Sequence, residues 1–170
     1  LFSLVQFDTE YDFIHRGVPI KTVPHFTLVP RGWTALLDAV GRTIIETGDR
    51  LSNIEESQRP GLVVFVIITN GLENSSKEFT KAKIKEMIKE QTEKWKWEFT
   101  YLGSNQDAFA EGGGMGIKTA ATSPYDAQNA GLAFAAAGAN VGRMRSFAMK
   151  GLAVANEYTD AERESMKSSG

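Results

Sequence analysis

Over residues 1–7 (LFSLVQF) Leu, Val and Phe follow one another almost without a break, and 11–15 with 18–23 continue the pattern across short polar gaps. Such runs predict extended edge structure, which Pro24 and Pro30 then end. From 33 to 47 the period changes. Ala35, Leu36, Ala39, Val40, Thr43 and Ile44 recur at helical spacing, so a helix is expected with Gly48 as its stop. A polar stretch over 49–60 leads into 62–68 (LVVFVII), apolar, mostly β-branched and closed by Thr69-Asn70-Gly71. A run of that kind predicts a strand buried on both faces, as in a parallel sheet.

Residues 77–94 place Phe79, Ala82, Ile84, Met87, Ile88 and Gln91 near one stripe with lysines and glutamates opposite, which predicts an amphipathic helix. Residues 97–102 (WEFTYL) read as a further strand. Ser104 and Asp107 have the spacing to cap a short helix over 105–110, with Gly112 to Gly114 as its end. A short last strand is expected over 117–121. An alanine-rich helix follows over 126–154, with breaks near Gly138 and Gly151, and 159–170 reads as a frayed tail.

Strands alternating with helices through short links predict an α/β fold, a Rossmann-like, mostly parallel sheet flanked by helices, because parallel neighbours need crossovers. One domain over 1–158 is expected. Ligands of open sheets bind beyond the carboxyl ends of the strands. Thr69-Asn70-Gly71 and Gly103-Ser104-Asn105 stand there.

The composition narrows the function classes. With 170 residues the chain can bury about 70% of its unfolded surface. A net charge of −2, with Glu86, Glu90 and Glu93 between the lysines of 81–96, argues against nucleic acid. The absence of cysteine excludes disulfides and thiolate chemistry, so a metal would need oxygen ligands or His15 and His25. No apolar run approaches the roughly 20 residues of a membrane helix. A cytoplasmic location is the corresponding expectation.

Thr34 offers a hydroxyl at a loop-to-helix junction and Asn70 a neutral carbonyl oxygen at a strand's carboxyl end. A hard divalent cation is held by such oxygens with several waters. The pair GWTALLDAVGRTI and VVFVIITNGLENSS, continued through WEFTYLGSNQDAFAEGGGMGI, resembles the von Willebrand factor type A domain, in particular its small bacterial and phage members. The resemblance covers most of residues 1–118. It implies a metal-ion-dependent adhesion site of three segments, in which Thr34 matches the second motif and Asn70 takes the place of the third motif's Asp.

The first motif, Asp-x-Ser-x-Ser after the central strand, has no match in the chain. A segment opening inside the fold, without that first strand, is therefore expected. Two unit charges about 4 Å apart interact by roughly 4 kcal/mol at an effective dielectric near 20, so carboxylates missing from both motifs are a large loss. Binding of Mg²⁺ or Mn²⁺ is expected to be weak or absent. The resemblance further implies a non-enzymatic interaction domain whose protein partner supplies an acidic side chain; Trp33, Glu73 and Ser104 stand on the predicted binding edge, Trp33 either as a partner anchor or as a lid packing on the sheet. The alternative is a Rossmann-like nucleotide-binding protein or enzyme using the same edge of the sheet.

Other features have plainer readings. Thr34 also reads as a helix N-cap, Asp38 as a dipole or network residue, and Glu73 as a solvated loop residue or an outer carboxylate. Gly112 to Gly116 follows a helix instead of a strand, which is the wrong order for a phosphate loop. His15 and His25 have no neighbouring ligand, and no Ser-His-Asp order can be assembled. Asn74-Ser75-Ser76 matches a glycosylation acceptor with no supporting context. Asn70-Gly71 is the dipeptide most prone to deamidation.

Overall fold

Residues 1–28, 32–104 and 107–167 are described by the computed structural model. By contact they separate into two units, Leu1–Asn53 with Leu72–Thr80, and Ile54–Gly71 with Lys81–Gly170. Pro30, Asn105 and the last three residues, on which some of the sequence expectations fall, lie outside the described residues.

In the first unit β1 (Phe2–Phe7) and β2 (Tyr11–Val18) form an antiparallel hairpin with Phe7 opposite Tyr11. Extended structure is thus found where the apolar runs predict it, although 20–22 close into a turn of 3-10 helix. Helix α1 (Leu36–Ser52) joins the hairpin through polar contacts on its flank. Tyr11 and Thr43 hydroxyls lie 3.2 Å apart, Arg16 pairs with Glu46, and the Arg42 guanidinium lies 5.6 Å from the centre of the Tyr11 ring.

The expected stop at Gly48 is not one. α1 runs through it to Ser52 and is capped by Asn53, whose backbone and side-chain N–H groups both donate to the Asp49 carbonyl, at 3.3 and 2.8 Å. A helical glycine costs only about 1 kcal/mol, which the buried Ile44, Thr47 and Leu51 offset. Gly41 is the tighter position: a Cβ there would lie 2.7 Å from the Phe79 ring.

The second unit holds β3 (Val64–Thr69), β4 (Glu98–Ser104) and β5 (Thr122–Tyr125) in the order β3-β4-β5, all parallel. α2 (Lys81–Trp95) connects the first pair and α3 (Ala108–Gly114) the second. The unit is α/β, with a parallel sheet flanked by helices and compatible with a Rossmann-like arrangement. Central β4 is buried at every position after Glu98. β3 is not buried on both faces as its composition predicts. Val66 is 38% exposed and three neighbours are half-buried, because β3 ends the sheet and pairs only with β4 among the described residues.

Three further expectations shift. α3 includes Gly112 to Gly114, and the chain turns at Gly116, whose φ of 85° suits glycine. The last strand lies at Thr122–Tyr125, after a 3-10 turn over Thr119–Ala121; buried Ile117 packs without being in a strand. Helix α4 (Ala130–Met149) is continuous through Gly138 and ends ahead of Gly151, which has a φ of 66°.

The expected frayed tail instead forms α5 (Asp160–Ser165), opened by a capping box between Thr159 and Glu162. Tyr158 and Met166, on either side of it, enter a core with Leu102, Tyr125, Ala133, Ala136 and Ala137. Buried hydrogen bonds tie the same region to the sheet: the Thr100 hydroxyl donates to the Ala121 carbonyl at 2.7 Å and lies 2.9 Å from the Tyr158 hydroxyl. Asn156 donates to the Phe99 carbonyl at 2.9 Å. Among the described residues no helix is long and apolar enough to cross a membrane.

Candidate functional site

The start of α1 is shaped by residues some forty positions away. The Leu37 N–H donates to a Glu73 carboxylate oxygen at 2.9 Å and the Asp38 N–H to the Ser76 hydroxyl at 3.1 Å. The first N–H groups of a helix have no partner inside it, and here the loop 72–80 supplies two. Asp38 returns the connection. Its carboxylate accepts the backbone N–H groups of Lys77, Glu78 and Phe79 at 2.8, 2.9 and 2.9 Å. Glu73 also turns back into its own loop and accepts from the Ser75 and Ser76 N–H groups and the Ser76 hydroxyl.

Burial pushes the Asp38 carboxyl up, but the three N–H groups with the Arg42 charge outweigh it and hold it below its ordinary value. Glu73 behaves alike: burial raises it, while the N–H groups of Ser76, Leu37 and Ser75 with the Ser76 hydroxyl leave it lowered. Hydrogen bonds to the ionised form favour that form. Both side chains are therefore held as anions by the segment they brace. Asp38 is the network residue that its place in the helix suggests. Glu73 is neither a solvated loop residue nor an open carboxylate.

Thr34 lies just ahead of this brace. It is not the N-cap, a position held by Ala35 without any side-chain cap bond. Its N–H donates to the Asn74 side-chain oxygen at 3.0 Å, and its carbonyl accepts the Asn74 N–H at 3.1 Å. The next residue is fixed as well, since the Ala35 N–H donates to the Asp8 carbonyl at 2.8 Å. Trp33 projects from the end of this pinned segment with 63% of its surface exposed.

Asn70 and Ser104 belong to the other unit, at the carboxyl ends of β3 and β4. Asn70 is exposed. The preceding Thr69 hydroxyl donates to the Gly71 carbonyl at 3.0 Å and accepts the Gly71 N–H at 3.2 Å. Ser104 is only 2% exposed and its hydroxyl has no hydrogen-bond partner among the described residues. Trp33 is open to solvent, whereas Ser104 is closed off from it.

The cation donors implied by the sequence are thus one hydroxyl in one unit and one amide in the other. Carboxylates do not complete the set, because Asp38 and Glu73 are engaged by backbone N–H groups. Among the described residues no cluster of three or more His, Asp or Glu could hold a metal ion. A hard divalent cation takes about six oxygens, several of them anionic or water; each unit taken by itself offers one of these neutral donors. Of the polar residues here, the sequence points to Thr34 and Asn70 but not to Asn74 and Ser76, whose partners lie beyond any local pattern.

No family model, no curated protein and no solved structure matches this chain.

Proposed function

We propose that the chain is a non-enzymatic protein-interaction domain that resembles a von Willebrand factor type A domain with a degenerate cation site, and that its partner docks on Trp33. One observation carries this reading: a largely exposed indole stands on a segment whose next two residues are pinned by backbone hydrogen bonds. Aromatic anchors contribute most to binding when they are held in place before the partner arrives, because little freedom is then lost. The Thr34 hydroxyl beside it can donate to an acidic side chain of the partner without a bridging cation. Asn70 offers a neutral amide with the same capacity at the edge of the parallel sheet.

Photocrosslinking tests the reading, with benzoylphenylalanine placed at position 33 or at Trp95, which is 61% exposed and serves as a control. In an extract of the cells that make the protein, position 33 is expected to yield a discrete adduct that survives EDTA and is weakened by Thr34→Ala. The same adducts from both positions, or none from position 33, would refute docking at Trp33. Loss of the adduct in EDTA would overturn the degenerate cation site.

A further inference from the structure

Asn70 is the one asparagine in the chain that is followed by glycine; Asn53, Asn74, Asn105, Asn129, Asn140 and Asn156 precede Ile, Ser, Gln, Ala, Val and Glu. The distinction is chemical. An asparagine side chain can be attacked by the backbone nitrogen of the next residue, and a Cβ on that residue obstructs the approach. Gly71 presents none. Asn70 is also exposed at the end of β3, whereas Asn140 and Asn156 are buried.

Asn74 is the informative comparison, because Ser75 is small and the loop is reachable. Its side-chain oxygen accepts from the Thr34 N–H and from the Ser75 hydroxyl, both at 3.0 Å. The would-be nucleophile, the Ser75 N–H, donates to the Glu73 carboxylate at 3.0 Å. Proton loss from a nitrogen bonded to an anion is disfavoured, and the amide it would attack is held in place. Among the described residues the Gly71 N–H meets only the neutral Thr69 hydroxyl, at a longer 3.2 Å.

We propose that Asn70-Gly71 is a self-modification site and that the Thr69 hydroxyl is its brake. The Gly71 nitrogen gives up its proton and attacks the side-chain carbonyl carbon of Asn70. A carbon–nitrogen bond forms, the bond to the side-chain NH₂ breaks, and the leaving group departs as ammonia with the proton made available. The resulting five-membered imide is opened by water at either carbonyl, giving aspartate or its isoaspartyl isomer with no change in oxidation state. The product carries a negative charge at the carboxyl end of β3 that the encoded amide lacks. In the isoaspartyl form the backbone is also one carbon longer at the turn. This chemistry belongs to the turn itself and stands whether or not a partner docks on the protein.

The test is peptide mapping by mass spectrometry of the whole chain aged at 37 °C over a series of mildly alkaline pH values. Wild type, Thr69→Val, Thr69→Ala and Thr69→Ser are compared, with circular dichroism following the fold. The Asn70 peptide is expected to gain the amide-to-acid mass increment before every other asparagine peptide, at a rate that climbs with pH. Asn74 should remain intact. Thr69→Val should accelerate conversion about fivefold, the factor equivalent to one ordinary hydrogen bond, and Thr69→Ser should restore the wild-type rate. Conversion of Asn74 ahead of Asn70, or an unmodified Asn70 when other sites have reacted, would overturn the site. A folded Thr69→Val or Thr69→Ala protein reacting at the wild-type rate would overturn the brake; if both unfold, a Thr69→Ser rate different from wild type would do so.

Discussion

Replacing Asp38 with Asn removes one charge and almost no volume, so it isolates what the carboxylate does for the loop. Three backbone N–H groups donate to it within 2.9 Å. A hydrogen bond to a charged group contributes about 1.5–3 kcal/mol, which for three independent bonds would total about 4.5–9 kcal/mol. They are not independent. The bonds share one anion whose burial already costs part of the gain, and Asn keeps one accepting oxygen, so Asp38→Asn is expected to lose about 3 kcal/mol. Urea denaturation at neutral pH measures the loss. Glu73→Gln acts on the same loop, so the double variant should lose less than the sum of the singles.

The sign with pH follows from the direction of the shifts. Both carboxyls are lowered in the folded chain, so their stabilisation is fully present above their unfolded values, near pH 4. It is lost as the pH falls through the folded values. Wild type should therefore weaken in acid more steeply than Asp38→Asn, and the two should converge below that window. Amide hydrogen exchange at Lys77, Glu78 and Phe79 provides the local reading. If Asp38→Asn costs less than about 1 kcal/mol and leaves those three amides as protected as in wild type, the carboxylate is not a brace.

Two glycines of α1 make an internal comparison. Gly41→Ala gains about 1 kcal/mol of helix propensity but drives a Cβ to 2.7 Å from the Phe79 ring; overpacking of that kind costs about 1–3 kcal/mol, so net destabilisation is expected in thermal unfolding. The Cβ of Gly48→Ala would meet nothing within 4 Å among the described residues, so the substitution should raise stability by about 1 kcal/mol. In the other unit Tyr158→Phe removes the hydroxyl beside Thr100, which still has the Ala121 carbonyl, so a loss of about 1 kcal/mol in urea is expected.

What the chain reveals before folding is what its near neighbours decide. Continuous apolar runs and helical spacing locate the extended segments at 1–7 and 11–15, α1, β3, α2 and β4, because each element buries its own apolar residues. Boundaries fail where a distant residue sets them. α1 begins at Leu36 because Glu73 and Ser76 supply its caps, and nothing local to Thr34 signals this. The tail differs, since Thr159-Asp160-Ala161-Glu162 does carry a capping signal. The short polar α5 is easily mistaken for fraying unless Tyr158 and Met166 are recognised as its anchors.

Two kinds of polar residue stand near Trp33. A carboxylate in a polar loop invites a ligand reading because its sequence neighbours leave it unexplained, but Glu73 has four donors once the loop meets α1. Thr34 differs in the relevant respect: its backbone is fully used by Asn74 while its hydroxyl has no hydrogen-bond partner among the described residues. A residue whose main chain is fixed and whose side chain is uncommitted is prepared to bind at little entropic cost. If so, Asn74→Ala should weaken crosslinking from position 33 without touching the partner, by loosening the mount under the indole. Unchanged crosslinking in a folded Asn74→Ala protein would show that the brace and the docking surface are unrelated.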